Sequence, residues 1–283
     1  MNEKALKDRL KVIAQERKID FNQLWRLFLL ERFLFRLSKS KVQDRFVFKG
    51  GLLLSCYMKI GRETVDADFL AKKLKLQTQE LKAAIEEVLS VKVDDGILFS
   101  WAGTEKLEQP HMESPGIRVI LDVRFHKMKD KISLDIGTGD PVEEIENTIE
   151  PVLYKGKPLF SGEITLLCYP IESICSEKLE SIFSKGAQNS RMKDYHDVLL
   201  IFRDAKILDS KKLKKSIEKT FEFRATVFNP PISFDDAGIE LLNKQWTNHL
   251  RNVKRFKDEF KLPDNIKDVL SEINTWLLNK HSD

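Results

Sequence analysis

Asp66 and Asp68 flank a single alanine in a stretch, Thr64 to Leu70, whose alternation predicts a β-strand. Val65, Ala67 and Phe69 are expected on one face and the two aspartates on the other, because strand residues two apart share a face. Carboxylates held that close repel unless a cation lies between them, and Mg²⁺ takes oxygen ligands of this type. Fifteen residues upstream, Phe48-Lys49-Gly50-Gly51 offers glycine backbone that a phosphate can approach closely. A third carboxylate is expected from a neighbouring strand. Asp135, in Ser133-Leu134-Asp135-Ile136-Gly137, is placed for it, and Asp122 in the preceding strand competes. Three carboxylates around one or two metal ions, beside a glycine-lined phosphate pocket, form an arrangement suited to nucleotidyl transfer. The metals bind the triphosphate, polarise the α-phosphorus and stabilise the leaving pyrophosphate. Each part also has a plainer reading, a turn for Gly-Gly and surface charge for Asp-x-Asp.

A second set of candidates lies after residue 170. Ile171, Ile174, Cys175, Leu179 and Ile182 mark the apolar stripe of a helix, and Lys178 falls inside that stripe. A lysine there costs desolvation unless an anion meets it. It either snorkels, packing its stem while the amine reaches water, or grips a phosphate at the edge of a cleft. Downstream, Asn189 to Asp197 starts another helix with Tyr195, Val198 and Phe202 on its packed side. Arg191–Asp194 and Lys193–Asp197 have the spacing of helix-surface ion pairs, a role that suits the second pair better.

The elements that must position these groups differ between the two halves. The first sixty residues read as helices, with Leu6, Leu10 and Ile13 at helical spacing and a dense apolar-aromatic run from Phe21 to Leu37 ended by Ser38-Lys39-Ser40. Leu52 to Met58 is a short helix after the glycines, Gly61 marks a turn, and Thr78 to Val91 is an amphipathic helix. Ile117–Phe125 and Lys131–Ile136 are strands joined by the charged turn Lys127-Met128-Lys129-Asp130, an expected antiparallel hairpin. Ile164–Tyr169 is another strand, and Pro170 opens a helix. Beyond it only helices are expected, interrupted at Asn229-Pro230-Pro231. The fold class is thus α+β, with domains at 1–165 (mixed) and 166–283 (helical).

Composition excludes several classes. The chain has 283 residues, 42% hydrophobic and 33% charged, enough for a buried core and incompatible with disorder throughout. No stretch approaches the length of a membrane span. Met1-Asn2-Glu3-Lys4 runs into a charged amphipathic pattern unlike a secretory leader, so a cytoplasmic protein is expected. Cys56, Cys168 and Cys175 cannot pair completely and fit reduced thiols, and five scattered histidines without a CxxC argue against structural zinc. The net charge of +4 is concentrated: residues 203–224 hold eight basic side chains against four acidic ones. Such a segment is either a polyanion-binding patch or a solvated helix face.

Six short blocks in fixed order resemble the abortive-infection nucleotidyltransferase toxins, the AbiEii group of the DNA polymerase β-like superfamily. They are Glu31 to Ser38, Phe48 to Leu54, Arg62 to Phe69, Leu134 to Asp140, Tyr169 to Glu172 with Ser176 to Leu179, and Asn189 to Tyr195. The resemblance spans about residues 5 to 205 and continues weakly to Trp246. It implies a polymerase β-like nucleotidyltransferase lobe with a mixed sheet, followed by a helical lobe that completes the cleft. It also implies Mg²⁺, an NTP substrate, tRNA 3′ ends as acceptors for some members, and a cognate antitoxin protein. Carried over by motif, Asp66 and Asp68 match the metal-binding pair and Asp135 the third acidic position. Lys178 matches the triphosphate lysine and Asp194 the acidic residue of the last motif. Lys49, Gly50, Gly51, Arg62, Arg191 and Lys193, in the same blocks, are expected at the nucleotide. Two positions depart from the pattern. Leu52 stands where Ser or Thr often follows the glycine, so no hydroxyl meets a phosphate there, and Ala67 replaces a larger apolar residue.

The expectation is a Mg²⁺-dependent, toxin-like nucleotidyltransferase, monomeric, moving a nucleotide from an NTP to RNA through the basic segment 203–224. Two alternatives are a catalytically silent nucleotide- or RNA-binding module and a small-molecule nucleotidyltransferase. Three intact carboxylates argue against the first, and the second leaves the basic segment without a role.

Overall fold

The computed structural model describes residues 1–74, 78–107, 116–139 and 141–280, so Asp140 of the fourth block lies outside the described residues. The chain forms two compact units. Unit 1 holds Met1–Cys56, Thr64–Gly139 and Glu144–Cys168, and unit 2 holds Tyr57–Glu63, Asp140–Glu143 and Tyr169–Asp283.

In unit 1, helices α1 (Glu3–Arg17) and α2 (Phe21–Lys39) start on side-chain caps. Asn2 accepts from the Ala5 N–H and Asp20 from the Asn22 N–H, both at 2.8 Å. Each satisfies an amide that a first helical turn leaves without a carbonyl. Then follow β1 (Phe46–Lys49), α3 (Gly50–Tyr57), β2 (Ala67–Ala71), α4 (Thr78–Leu89), β3 (Ile97–Leu107), β4 (Gly116–Phe125), β5 (Met128–Gly137) and β6 (Ile145–Ile149). A small hairpin, β7 (Leu153–Tyr154) with β8 (Lys157–Pro158), precedes β9 (Ile164–Cys168). Seven strands form one mixed sheet in the order β3-β4-β5-β2-β1-β9-β6. The β2–β5 and β1–β9 pairs are parallel and the others antiparallel. Unit 1 is α+β, as its sequence implied.

Strand alternation sorts the sheet's two faces. On β4, Ile117, Val119, Leu121, Val123 and Phe125 are buried, whereas Asp122 and Arg124 are exposed. The buried face continues through Leu134 and Ile136 of β5 and through Ala67 and Phe69 of β2. α2 packs on it, with Phe33 edge-on to Phe69 at 6.3 Å, and Phe46 and Phe48 of β1 lie 6.1 and 5.5 Å from the same ring. Each buried ring contributes roughly 1.5–3 kcal/mol. The charges that interrupt the apolar run of α2 are also inside. Arg32 donates to Asp95 at 2.9 Å, and Arg36 grips the same carboxylate with two bonds of 2.8 Å.

Three strands of the main sheet depart from the sequence reading, as do β7 and β8 of the small hairpin. β1 lies in a region read as helical, being too short to show a period. β6 is a short strand with three polar residues of five. β3 carries a bulge between Trp101 and Gly103, which shifts its alternation by one residue and erases the period-two signal. Strand β2 also starts later than expected, so Asp66 precedes the strand instead of belonging to it.

Unit 2 is helical. Its members are α5 (Ile171–Lys185), α6 (Met192–Arg203), α7 (Ser210–Phe223), α8 (Asp236–Asn252), α9 (Lys254–Lys257) and α10 (Ile266–Lys280). Phe202 stacks on Trp276 at 3.9 Å, and buried Trp246 donates its indole N–H to the Pro263 carbonyl at 2.9 Å.

Candidate active site

The carboxylates of unit 1 belong to a row of charges that crosses five strands. Lys49 of β1 is in register with Asp68 of β2, Asp68 with Asp135 of β5, Asp135 with Arg118 of β4, and Arg118 with Glu105 of β3. Residues in register share a face, so the whole row lies on the side of the sheet opposite Phe48, Phe69 and Ile136. Arg118 grips Asp135 with both arms of its fork, at 2.7 and 2.8 Å. That hydrogen bond, with the fields of Asp135, Asp66 and Glu105, holds the guanidinium even more firmly protonated than usual. Asp122, the competing position, is exposed four residues further along β4 and pairs with Lys131 at 3.5 Å. At about 3.3 Å per residue it lies some 13 Å away along the strand.

Gly50 explains how Asp68 fits. Its φ of +75° is open to glycine at little cost, and a Cβ there would run into the Asp68 carboxylate. The space above Gly50 that was expected to receive a phosphate is therefore filled by the chain's own aspartate. Gly51 follows in α3, where Leu52 is buried and brings no hydroxyl. Among the described residues, no three His, Cys, Asp or Glu side chains converge into a group that could hold a metal ion. Donor type and placement still fit a hard cation: carboxylate oxygens only, on adjacent strands and in register. What stands beside them is a guanidinium.

Unit 2 contains a different kind of cluster. Lys178 is 8% exposed and donates to Asp194 at 3.0 Å and reaches Asp197 at 2.7 Å. Its ammonium does not escape to water, which removes the snorkelling reading. Burial pushes its pKa down, yet the two carboxylates outweigh that and leave it raised. Asp197 also takes the fork of Arg62 at 2.6 Å on both oxygens. Burial opposes its ionisation, but Lys178 and Arg62 hold its carboxyl far below the usual range. Asp194 is lowered in the same way, against burial, by Lys178 and then Arg191, whose Nε lies 3.2 Å away. Arg62 and Lys178 thus meet Asp194 and Asp197 here, while Arg191 and Lys193 lie exposed at the start of α6.

A histidine pair closes the other side of α6. The Nε2–H of His196 donates to the Ile60 carbonyl at 2.7 Å, which leaves Nδ1 to accept from His249 Nε2–H at 2.9 Å. Burial brings both imidazoles down to about 4. With Tyr57 donating to the Tyr169 carbonyl at 2.7 Å, these contacts fasten the segment Tyr57–Glu63 within unit 2.

Residues 32–272 match the sequence family described as nucleotidyl transferase AbiEii toxin, type IV toxin–antitoxin system. The chain belongs to this family. It is accordingly a nucleotidyltransferase of toxin–antitoxin, abortive-infection type, and its mixed sheet agrees with a polymerase β-like lobe. No curated protein matches it by sequence. Two Helicobacter pylori crystal structures are similar at 14% identity and a TM-score of 0.44. One is JHP933, with 89% of this chain and 88% of that protein covered. The other is described as a candidate nucleotidyltransferase, with 90% and 95% covered.

For an AbiEii chain, two features were not foreseen from sequence. By spacing Asp197 is a surface partner for Lys193, but it is fully buried and joins Arg62 to Lys178. The signal was present: a lysine inside an apolar stripe demands an anion, and Asp194 and Asp197 are one helical turn apart. Arg118 gave no signal, because its role follows from a register that only the folded sheet fixes. The basic segment is also less basic than its count. Glu143 meets both Lys215 and Lys219, Arg203 forks Glu272, and Arg224 meets Glu177 and Glu180. Lys211, Lys212 and Lys214 remain exposed on α7. No helix among the described residues is long and apolar enough to cross a membrane.

Proposed function

We propose that this AbiEii-family chain transfers a nucleotide from an NTP to an RNA acceptor in a Mg²⁺-dependent reaction, with Asp66, Asp68 and Asp135 as the acidic site. The observation that supports this best is the in-register pairing of Asp68 with Asp135, with Asp68 seated on Gly50. Two acids fixed side by side on rigid strands suit a hard cation better than any structural task. A Mg²⁺ held by Asp66, Asp68 and Asp135 would supply Lewis-acid charge to the triphosphate. The chain's own contribution is orientation. β2 and β5 fix the two carboxylates, Gly50 leaves room for one of them, and Lys49 adds a positive charge at the β1 end of the row. Lys178, with Arg191 and Lys193, is assigned to the triphosphate and Asp194 to the acceptor side. Lys178 and Asp194 act from a cluster that is already charge-compensated. A cognate antitoxin and a cytoplasmic setting complete the reading.

The acceptor is assigned through the exposed lysines of α7. Incubation with each labelled NTP, Mg²⁺ and total RNA is expected to label an RNA band. Replacing Lys211, Lys212, Lys214 and Lys215 with Gln is expected to flatten the salt dependence of RNA binding, since each phosphate contact releases a counterion. NTP affinity should stay unchanged. Equal RNA labelling by the quadruple variant would favour a small-molecule acceptor. That second reading draws on the carboxylates that already meet Arg203, Lys215, Lys219 and Arg224.

A further inference from the structure

We propose that Arg118 is a resident counter-cation that keeps Asp135 from a divalent metal until a triphosphate gives Arg118 an anion of its own. The inference rests on the metal and NTP reading above and adds the residue that couples the two. Asp68 and Asp135 lie in register on adjacent strands, and Asp66 is two residues from Asp68. Some positive charge must balance them in the metal-free chain. Arg118 supplies it on the β4 side, through two bonds to Asp135 and through the fields it shares with Asp66 and Glu105.

Exposure separates this pair from the structural ion pairs of the same unit. Arg118 is 33% exposed and Asp135 20%, whereas Arg32, Arg36 and Asp95 are at 4% or less. A pair open to water gives up its partner at small cost, and a sealed one does not. The guanidinium fork that fits a carboxylate fits a phosphate equally well. Arg118 can therefore exchange Asp135 for a phosphate oxygen without losing its hydrogen bonds. Asp135 is released at the moment the nucleotide arrives. Metal binding to the three carboxylates should accordingly be weak without nucleotide and strong with it.

Mn²⁺ binding to the full chain, followed by the paramagnetic resonance signal of the unbound ion, tests this. Titrations are run without nucleotide and with α,β-methylene analogues of the four NTPs. Arg118→Gln is expected to tighten nucleotide-free Mn²⁺ binding about ten-fold and to shrink the further tightening produced by the analogues. Adding Asp135→Asn should cancel the gain. Arg118→Lys, which keeps the charge but loses the fork, should fall between parent and Arg118→Gln, and it carries the test if the glutamine variant does not fold. A merely structural arginine predicts equal or weaker Mn²⁺ binding in both variants, and that result overturns the proposal. An Asp66→Asn/Asp68→Asn double variant that binds Mn²⁺ as the parent does, with analogue present, would sink the metal reading itself and this inference with it.

Discussion

The two charged clusters of this protein are built from the same residue types and differ in how completely they are closed. In unit 2, Arg62, Lys178, Asp194 and Asp197 pair in the interior, with Asp197 fully buried and bonded on both oxygens and only Asp194 Oδ2 left without a hydrogen-bond donor, 3.2 Å from Arg191 Nε. In unit 1, Asp66 is exposed and Asp135 is one-fifth exposed with a single fork on it. A sealed network resists exchange because any lost partner strands a charge away from water. A half-open one can trade partners. On this contrast the first cluster is proposed as a rigid, charge-compensated mount for Lys178 and Asp194, and the second as the place where a metal is exchanged.

Stability measurements can break that comparison most sharply. Asp197→Ala leaves Arg62 and Lys178 without their shared acid, and it should cost about 3–5 kcal/mol in urea unfolding. Lys178→Met should be costly for the same reason, although its stem would fit the apolar stripe. Asp135→Ala in the half-open row should cost only about 1 kcal/mol or less. Equal losses at Asp197 and Asp135 would contradict the distinction.

A pH profile sharpens the same contrast. His196 and His249 are brought from 6.5 to about 4 by burial, so the unfolded chain binds protons between those values that the folded chain refuses. Their contribution is complete above about pH 6.5 and is lost as pH falls toward 4, on the order of 3 kcal/mol if the pair acts as one. Asp194 and Asp197 are depressed instead, so their share is lost only below about pH 4. Unit 2 should weaken first on acidification, and His249→Gln should flatten the slope between pH 6.5 and 4. An unaltered slope in that variant would remove the histidines from the account.

Gly50→Ala should cost about 1–3 kcal/mol of folding stability for a strained φ. Its effect on transfer should be larger, because the added Cβ displaces Asp68. Thermal melts and NTP turnover on one preparation separate the two; an active Gly50→Ala variant would show that the seat is not needed.

Much of this was legible in the sequence. The alternation around Asp68, the Phe48-Lys49-Gly50-Gly51 block and the hairpin that carries Asp135 point to the acidic site, because strand periodicity is local. The row itself was not legible. It depends on β2 lying beside β5 and β5 beside β4, pairings set by tertiary packing, and so Arg118 stayed hidden. Asp197 was misassigned because helical spacing offers a surface partner, Lys193, for any aspartate four residues on. The burial of α6 on nearly every side decides otherwise. β3 was lost to its bulge.

The half-open carboxylates are proposed to perform the transfer. Asp68→Asn keeps the size and seat of the side chain on Gly50 but removes its charge. Transfer of label from an α-labelled NTP to RNA, measured across a Mg²⁺ titration for parent and variant, tests the claim most directly. Mg²⁺-dependent labelling is expected from the parent and none from Asp68→Asn at any Mg²⁺ concentration, with matching melting curves. Labelling by a folded Asp68→Asn protein at the parental rate would contradict it.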